Sequence, residues 1–232
     1  MKQNTYEIEK NFEKIYRGNS TGFLSPNIKI QITSKLKKSQ YKIFSPFSEA
    51  EKVIIYSKKL PDIKLYKIKC YKNDKLSHSS IMGSLFGLNI TSEMFGDIVN
   101  FHDEFYVYLL GTISDLVTEN LKIIGTTPIS LEEVNINLLD NYSRKYESIK
   151  LIVSSLRLDT IISKLVPCNR EKVNDKIKNQ EIIVNDLPAT KASYLLKPND
   201  LFSVRKIGKF KFKEIIGKTK KDNLIIEISK YI

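Results

Sequence analysis

Between Ile63 and Val134 the apolar residues change period repeatedly, and each change marks an element. Ile63–Lys72 alternates apolar and charged residues, as a half-buried strand does. A helix is expected near Ser77–Phe86. Two strands follow, Asp97–Phe101 and Glu104–Leu110, joined by a tight turn at His102-Asp103. A second helix is expected from Thr112 to Leu121, and Ile129–Val134 closes the series as a strand. The order is βαββαβ.

That order is ferredoxin-like. It predicts an RNA-recognition-motif-like (RRM-like) sheet, although a fold alone assigns no function. Ahead of it, an amphipathic helix is expected over residues 5–20, with Tyr6, Ile8, Phe12 and Ile15 or Tyr16 at helical spacing. Gly18-Asn19-Ser20 ends it, Pro26 starts another helix, and "KVIIYSKKLPD" alternates like a strand. Residues 137–150 are polar and read as a linker. The chain is therefore expected to be α+β in three parts. These are a small N-terminal α/β segment (1–62), an RRM-like middle domain (63–140) and a C-terminal domain (151–232).

Charge separates the last part from the rest. Residues 1–150 carry 21 Lys/Arg and 17 Asp/Glu, a net of +4, whereas residues 151–232 carry 17 and 9, a net of +8. Solubility gives no reason for such concentration, but a polyphosphate partner does. Two distant cysteines, Cys70 and Cys168, argue against a disulfide framework or zinc site and for a reducing cytoplasm. The N-terminus alternates in charge and lacks the apolar region of a signal peptide. No apolar run approaches the roughly 18 residues that span a bilayer.

From Leu151 the pattern reads helix, helix, strand, turn, strand. "SSLRLDTIISKLV" puts Leu158, Ile161, Ile162 and Leu165 on one helix face, and Pro167 punctuates it. "NREKVNDKIKN" is a second helix with Val173 and Ile177 inward and Arg170, Lys172, Lys176 and Lys178 within about two turns. Its N-terminus at Asn169 presents amides that suit a phosphate. Arg157 and Asp159 stand two apart on the first helix and are not expected to pair there. Asp159 is expected to orient Arg170 instead. "EIIVN" is a strand, Asn185-Asp186 a turn, and "LLKPNDLFSVR" leads to a second strand.

These side chains resemble the RNA-binding domain first named for small-subunit ribosomal protein S-four. Its pattern is R-L-D, then S-R-x-x-A, then I-x-x-G-x-V-x-V-N, then G-D-x-I. Here Arg157-Leu158-Asp159, Asn169-Arg170, Ile177, Ile182, Val184-Asn185 and Asp200 carry the match. Gln180 stands where the pattern has Gly, and Asn179 is expected to take the left-handed cap in its place. Beyond this module, Arg205, Gly208, Phe210, Gly217, Thr219, Lys220 and Lys221 resemble the C-terminal extension of the YlmH family. Lys206 and Asp222 replace glycines of that pattern. In the middle, His78, Gly83, Gly87, Ile90, Gly96, Asp97 and Ile98 match the same family, with Asn89 for a Gly and Ser92 for an Arg. The resemblance implies a cytoplasmic RNA-binding protein that acts on ribosomal RNA or tRNA at the large ribosomal subunit, in ribosome-associated quality control.

The expected RNA contacts are Arg157, Asn169, Arg170, Lys172, Lys176 and Asn179 around the helices, with Asn185 and Lys191 beyond them. Arg205, Lys209, Lys211, Lys218, Lys220 and Lys221 continue them along a basic strand interleaved by Phe210, Phe212, Ile215 and Ile216. No catalytic residue, cofactor or metal is expected. His78 and His102 lack the partners of a metal site, and "GSLFG" lacks the Lys-Ser/Thr of a phosphate loop, so Gly83 and Gly87 read as close-packing glycines. Asp97 reads as a turn or strand-start residue. Tyr106 and Tyr108 share one strand face, where they either stack bases or fill a core. A monomer without membrane attachment is expected. The competing classes are an RNA-modifying enzyme of pseudouridine synthase or methyltransferase type, whose motifs are missing from the sequence, and a cell-division-linked or membrane adaptor.

Overall fold

A computed structural model describes residues 2–70, 76–166 and 168–232, with side chains from Thr5 onward. The end of the strand expected over Ile63–Lys72, and Pro167, lie outside the described residues. The architecture is mixed α+β, with two compact units, residues 1–143 and 144–232.

The first unit begins with helix α1 (Lys2–Tyr16), strand β1 (Ser20–Leu24), helix α2 (Pro26–Thr33), and strands β2 (Lys42–Phe44) and β3 (Val53–Tyr56). Pro26 sits in the first turn of α2, where its missing N–H costs no hydrogen bond. The three strands form a small antiparallel sheet in the order β1-β3-β2.

A five-stranded sheet follows, built from β4 (Ile63–Cys70), β5 (Phe95–Phe101), β6 (Glu104–Leu110), β7 (Ile123–Ile124) and β8 (Thr127–Val134). Helix α3 (His78–Gly87) joins β4 to β5, and α4 (Gly111–Asn120) follows β6. The strand order is β5-β6-β4-β8-β7, antiparallel throughout. His102 and Asp103 take φ of +52° and +64°, so the turn expected there is the left-handed type whose twist matches a hairpin. The short hairpin partner β7 escaped the sequence reading.

Both faces of this sheet are covered. Tyr66, Ile68, Ile98 and Val107 pack with Ile81 and Leu85 of α3 and Ile113 and Val117 of α4. On the other face Leu65, Val99, Tyr106 and Tyr108 pack with Phe23, Phe47 and Ile54 of the N-terminal segment. Gly96 permits that approach. A Cβ there would lie 2.9 Å from the Phe23 ring and 3.0 Å from Tyr108. Asp97, expected at a turn or strand start, lies inside β5 and ties the same segment down by accepting the Glu51 amide at 2.7 Å. Gly83 and Gly87 correct the expectation of close packing, because a Cβ at either meets nothing within 4 Å.

The second unit is a six-stranded antiparallel sheet with two helices on one face. Its elements are β9 (Tyr146–Val153), α5 (Leu158–Leu165), α6 (Arg170–Lys178), β10 (Ile182–Val184), β11 (Leu187–Pro188), β12 (Leu201–Val204), β13 (Gly208–Lys218) and β14 (Leu224–Tyr231). The order is β11-β10-β12-β13-β14-β9. Leu158, Ile161 and Ile162 of α5 and Val173 and Ile177 of α6 meet Phe202, Phe210, Phe212, Ile226 and Ile228 of the sheet in one core. The polar stretch 137–150 is not a linker throughout. Leu139 is buried, and Tyr146–Lys150 begin β9, which pairs with β14 along its whole length. The alternation of Ile149, Leu151 and Val153 carried that signal, masked by the charged residues between them.

Candidate nucleic-acid interface

The two units differ in charge. Residues 1–143 carry 18 basic and 16 acidic side chains, and residues 144–232 carry 20 and 10. In the first unit the cations of β4 are paired: Lys64 with Glu133 at 3.1 Å, Lys67 with Glu104 at 2.6 Å and Lys69 with Glu132 at 2.7 Å. Tyr108 is fully buried and Tyr106 nearly so. Their face is core, which removes Tyr108 as a base-stacking ring. Burial pushes the Tyr108 hydroxyl pKa far above its ordinary value.

The second unit holds every expected RNA contact. Arg157 stands just before α5, in an extended conformation as its N-cap. That position frees its side chain to fold back on Asp159, with Nε to Oδ1 at 3.1 Å and Nη2 to Oδ2 at 2.6 Å. The expectation that Asp159 orients Arg170 is thereby corrected. Arg170 Nη2 donates instead to the Thr160 hydroxyl at 3.2 Å, and Thr160 donates to Asp159 Oδ1 at 3.2 Å. Asp159 and Thr160 are both buried, so one carboxylate and one hydroxyl hold two arginines, one ahead of α5 and one at the start of α6. The hydrogen bond from Arg157, followed by its charge and the contacts of Thr160, holds the Asp159 carboxyl below the usual aspartate range.

Asn169 caps α6 by accepting the Lys172 amide at 3.0 Å. That amide is therefore occupied, in contrast to the open helix end the sequence implied. Arg170, Lys172 and Lys178 are exposed along α6, while Val173 and Ile177 face the core. Lys176 pairs with Glu181 at 2.7 Å. Arg205 and Lys206 also surround Glu181, and with Ile207 they line a shallow polar recess. The Lys176 hydrogen bond, with the charges of Arg205 and Lys206 behind it, holds the Glu181 carboxyl below its ordinary range. The C-terminus of α6 and the β12–β13 turn thus form one basic corner.

Asn179 does not take the left-handed cap. Its φ is −79°, and Gln180 has φ +56°. The amides of Gln180 and Glu181 bond the carbonyls of Ile177 and Lys176, the double bond of a Schellman cap. Gln180 is not alone. Asn89 (+59°), Lys206 (+66°) and Asp222 (+59°) also stand where the family pattern has Gly, and each keeps the left-handed backbone a glycine would supply. For Gln and Lys that conformation costs about 1–2 kcal/mol, partly offset because glycine is freer when unfolded. Gln180→Gly should therefore raise stability by about 0.5–1 kcal/mol. The check is a higher urea midpoint at unchanged slope.

Asn185 is occupied structurally. Its amide donates to Asp200 at 2.9 Å and its carbonyl oxygen accepts the Leu201 amide at 2.9 Å, fixing two turns together. Lys191 is exposed in the segment before Leu196. Lys218 pairs with Asp222 at 2.8 Å at the exposed β13–β14 turn, beside Lys220 and Lys221. Lys209 and Lys211 do not continue the helical surface. Phe210 and Phe212 face the helix-side core, so strand alternation sends the two lysines to the opposite face of the sheet. Ile215 and Ile216, expected to interleave the run as core residues, are exposed at 45% and 42%. Two β-bulges in β13, between Phe212 and Glu214 and between Ile215 and Gly217, break the alternation there.

Comparison with known proteins finds a match in part of each unit. A family profile described as "Putative RNA-binding domain in YlmH" matches residues 59–138, and the S-four profile ("S4 domain") matches residues 156–202. The chain is 31% identical over 147 residues to "Ribosome-associated protein quality control protein P2" of Bacillus subtilis, over 63% of this chain and 57% of that protein's length. The solved "Cell division protein ylmH from Streptococcus pneumoniae" aligns at 20% identity and a TM-score of 0.49, over 58% of this chain and 93% of that one. The YlmH-type match thus falls on β4 to β8 and the S-four match on α5 to β12, and the chain spans little more than half the length of the Bacillus subtilis relative it resembles.

Proposed function

We propose that this protein is a non-enzymatic RNA-binding factor. It holds ribosomal RNA or tRNA on the large ribosomal subunit, as a cytoplasmic monomer, in ribosome-associated quality control. The observation that carries the reading is the confinement of the positive charge to the unit in which Arg170, Lys172, Arg205 and Lys206 are exposed around the S-four helices. The name of the Bacillus subtilis relative supports the ribosomal setting. Among the described residues no helix is long and apolar enough to cross a membrane, and no three metal-ligating side chains gather.

The order β5-β6-β4-β8, with helices following β4 and β6, supports an RRM-like reading of the middle domain. Its sheet would not bind RNA in the usual RRM manner, because the N-terminal segment covers the aromatic face. Its function would then be to position the S-four domain or to bind a protein. The phosphate contacts fall to the second unit.

The deciding experiment is co-sedimentation with separated ribosomal subunits across a salt series. The protein is expected in the large-subunit fraction, released as salt rises. Each phosphate neutralised should add roughly 0.7–0.9 to the slope of log affinity against log salt. A flat plot would remove the electrostatic basis of the reading. Uridine isomerisation or methyl transfer on a native RNA would replace it with an enzyme.

A further inference from the structure

The six-stranded sheet has a second face that the S-four match does not explain. Strands β9, β13 and β14 lie outside residues 156–202. They turn Ile149, Phe210, Phe212, Ile226 and Ile228 toward the helices. The alternate positions, Tyr146, Lys209, Lys211 and Tyr231, face the other way. Tyr146 and Tyr231 are direct cross-strand partners, and their rings meet edge to face with centroids 5.0 Å apart. Lys209 Nζ lies 5.4 Å from the Tyr231 centroid, and the Arg144 guanidinium 5.7 Å. Tyr146 is 37% exposed. Glu147, the acid next to Tyr146, alternates to the helix side and pairs with Lys230 at 3.5 Å. Glu227 and Glu214 oppose one another further along the outer face, and Glu227 accepts the Ser148 hydroxyl at 2.7 Å. The tyrosine end is therefore aromatic and cationic, and acid lies toward the other end.

We propose that this face is a second RNA site, taking a single-stranded segment with one base stacked on Tyr146 and the adjoining phosphates against Arg144, Lys209 and Lys211. An exposed ring with cations beside it on a flat sheet is the means by which proteins hold unpaired nucleic acid without reading its sequence. A duplex keeps its bases stacked and offers the ring nothing. The inference rests on the RNA-binding reading above. It adds that the domain can hold two RNA segments, a structured one on the helix side and an unpaired one behind the sheet.

The chain contains no tryptophan, so Tyr146→Trp in the full-length protein places a unique fluorophore at the site. Titration with an oligouridylate of about 12 nucleotides should quench it saturably. Tyr146→Ala should weaken binding of the labelled oligonucleotide about tenfold or more, and Tyr146→Phe should restore it. The absence of quenching, or equal quenching by inorganic polyphosphate, overturns the stacking site. So does a Tyr146→Ala variant that binds the oligonucleotide as the parent does. The helix-side reading is tested in parallel by Lys172→Ala on a structured ribosomal RNA fragment. If that RNA is bound and weakened by Lys172→Ala while the oligonucleotide is ignored, only the second site fails. If neither RNA binds, the RNA-binding reading itself fails.

Discussion

Ile177→Ala is expected to destabilise the C-terminal unit by about 2–5 kcal/mol, the range for truncating a large buried aliphatic side chain. Ile177 is 8% exposed and belongs to the core that joins α5 and α6 to the sheet. A unit of this size should then melt on the order of 10 °C lower. Lys172, five residues earlier on the same helix, is exposed. Lys172→Ala should change stability by less than about 0.5 kcal/mol, yet lower the salt slope of RNA binding by about one unit. Equilibrium unfolding and filter binding on both variants separate scaffold from contact. A destabilised Lys172→Ala, or an Ile177→Ala as stable as the parent, would reverse the assignment of the two faces of α6.

Asp159→Ala should cost about 2–3 kcal/mol, because it removes charge-assisted hydrogen bonds from Arg157 and a further one from Thr160. The penalty stays below that of breaking a fully buried ion pair, since Arg157 is 42% exposed and water can take over its freed N–H groups. RNA affinity should also fall, as Arg157 loses its anchor and the Thr160 hydroxyl that accepts from Arg170 loses its own acceptor. The salt slope should hold, because no cation has been removed. The pH dependence has a definite sign. The folded-state pKa of Asp159 is lowered, so its contribution is present above the ordinary aspartate pKa and is lost as pH falls through the folded value. Acid unfolding of the parent and of Asp159→Asn should therefore differ near neutrality and converge in strong acid. Curves that stay parallel throughout would show that Asp159 is not the ionised anchor of the pair.

Arg157 and Asp159 also show where a local rule misleads. Residues two apart in a helix cannot face each other, and the sequence reading placed both in the helix. The structure puts Arg157 at the N-cap, outside it, and the rule no longer applies. A helix that starts at Leu158 and not at Ser154 changed the partner of a buried carboxylate. The glycine departures teach a related lesson. Asn89, Gln180, Lys206 and Asp222 stand where the resembled pattern has glycine, yet each retains a positive φ. At Gln180 and Glu181 the flanking hydrogen bonds to Ile177 and Lys176 fix the turn whatever the side chain.

Much of the architecture was written locally. The order from β4 to β8 apart from the short β7, the His102-Asp103 turn, the amphipathic face of α5 and the inward Val173 and Ile177 all follow from residue spacing. The segregation of charge likewise required only counting. What spacing could not reveal was what covers each face. Tyr106 and Tyr108 share a strand face by alternation alone, but only the packing of Phe23, Phe47 and Ile54 makes that face a core and not a stacking platform. Lys209 and Lys211 follow Arg205 in sequence, but only pairing with β12 and β14 sends them behind the sheet. Strand β9 joins that sheet through β14, more than 70 residues away along the chain. Periodicity reports which side chains point the same way, because that depends on neighbouring torsions. The partner on that side is set by contacts between distant segments, and those exist only in the folded chain.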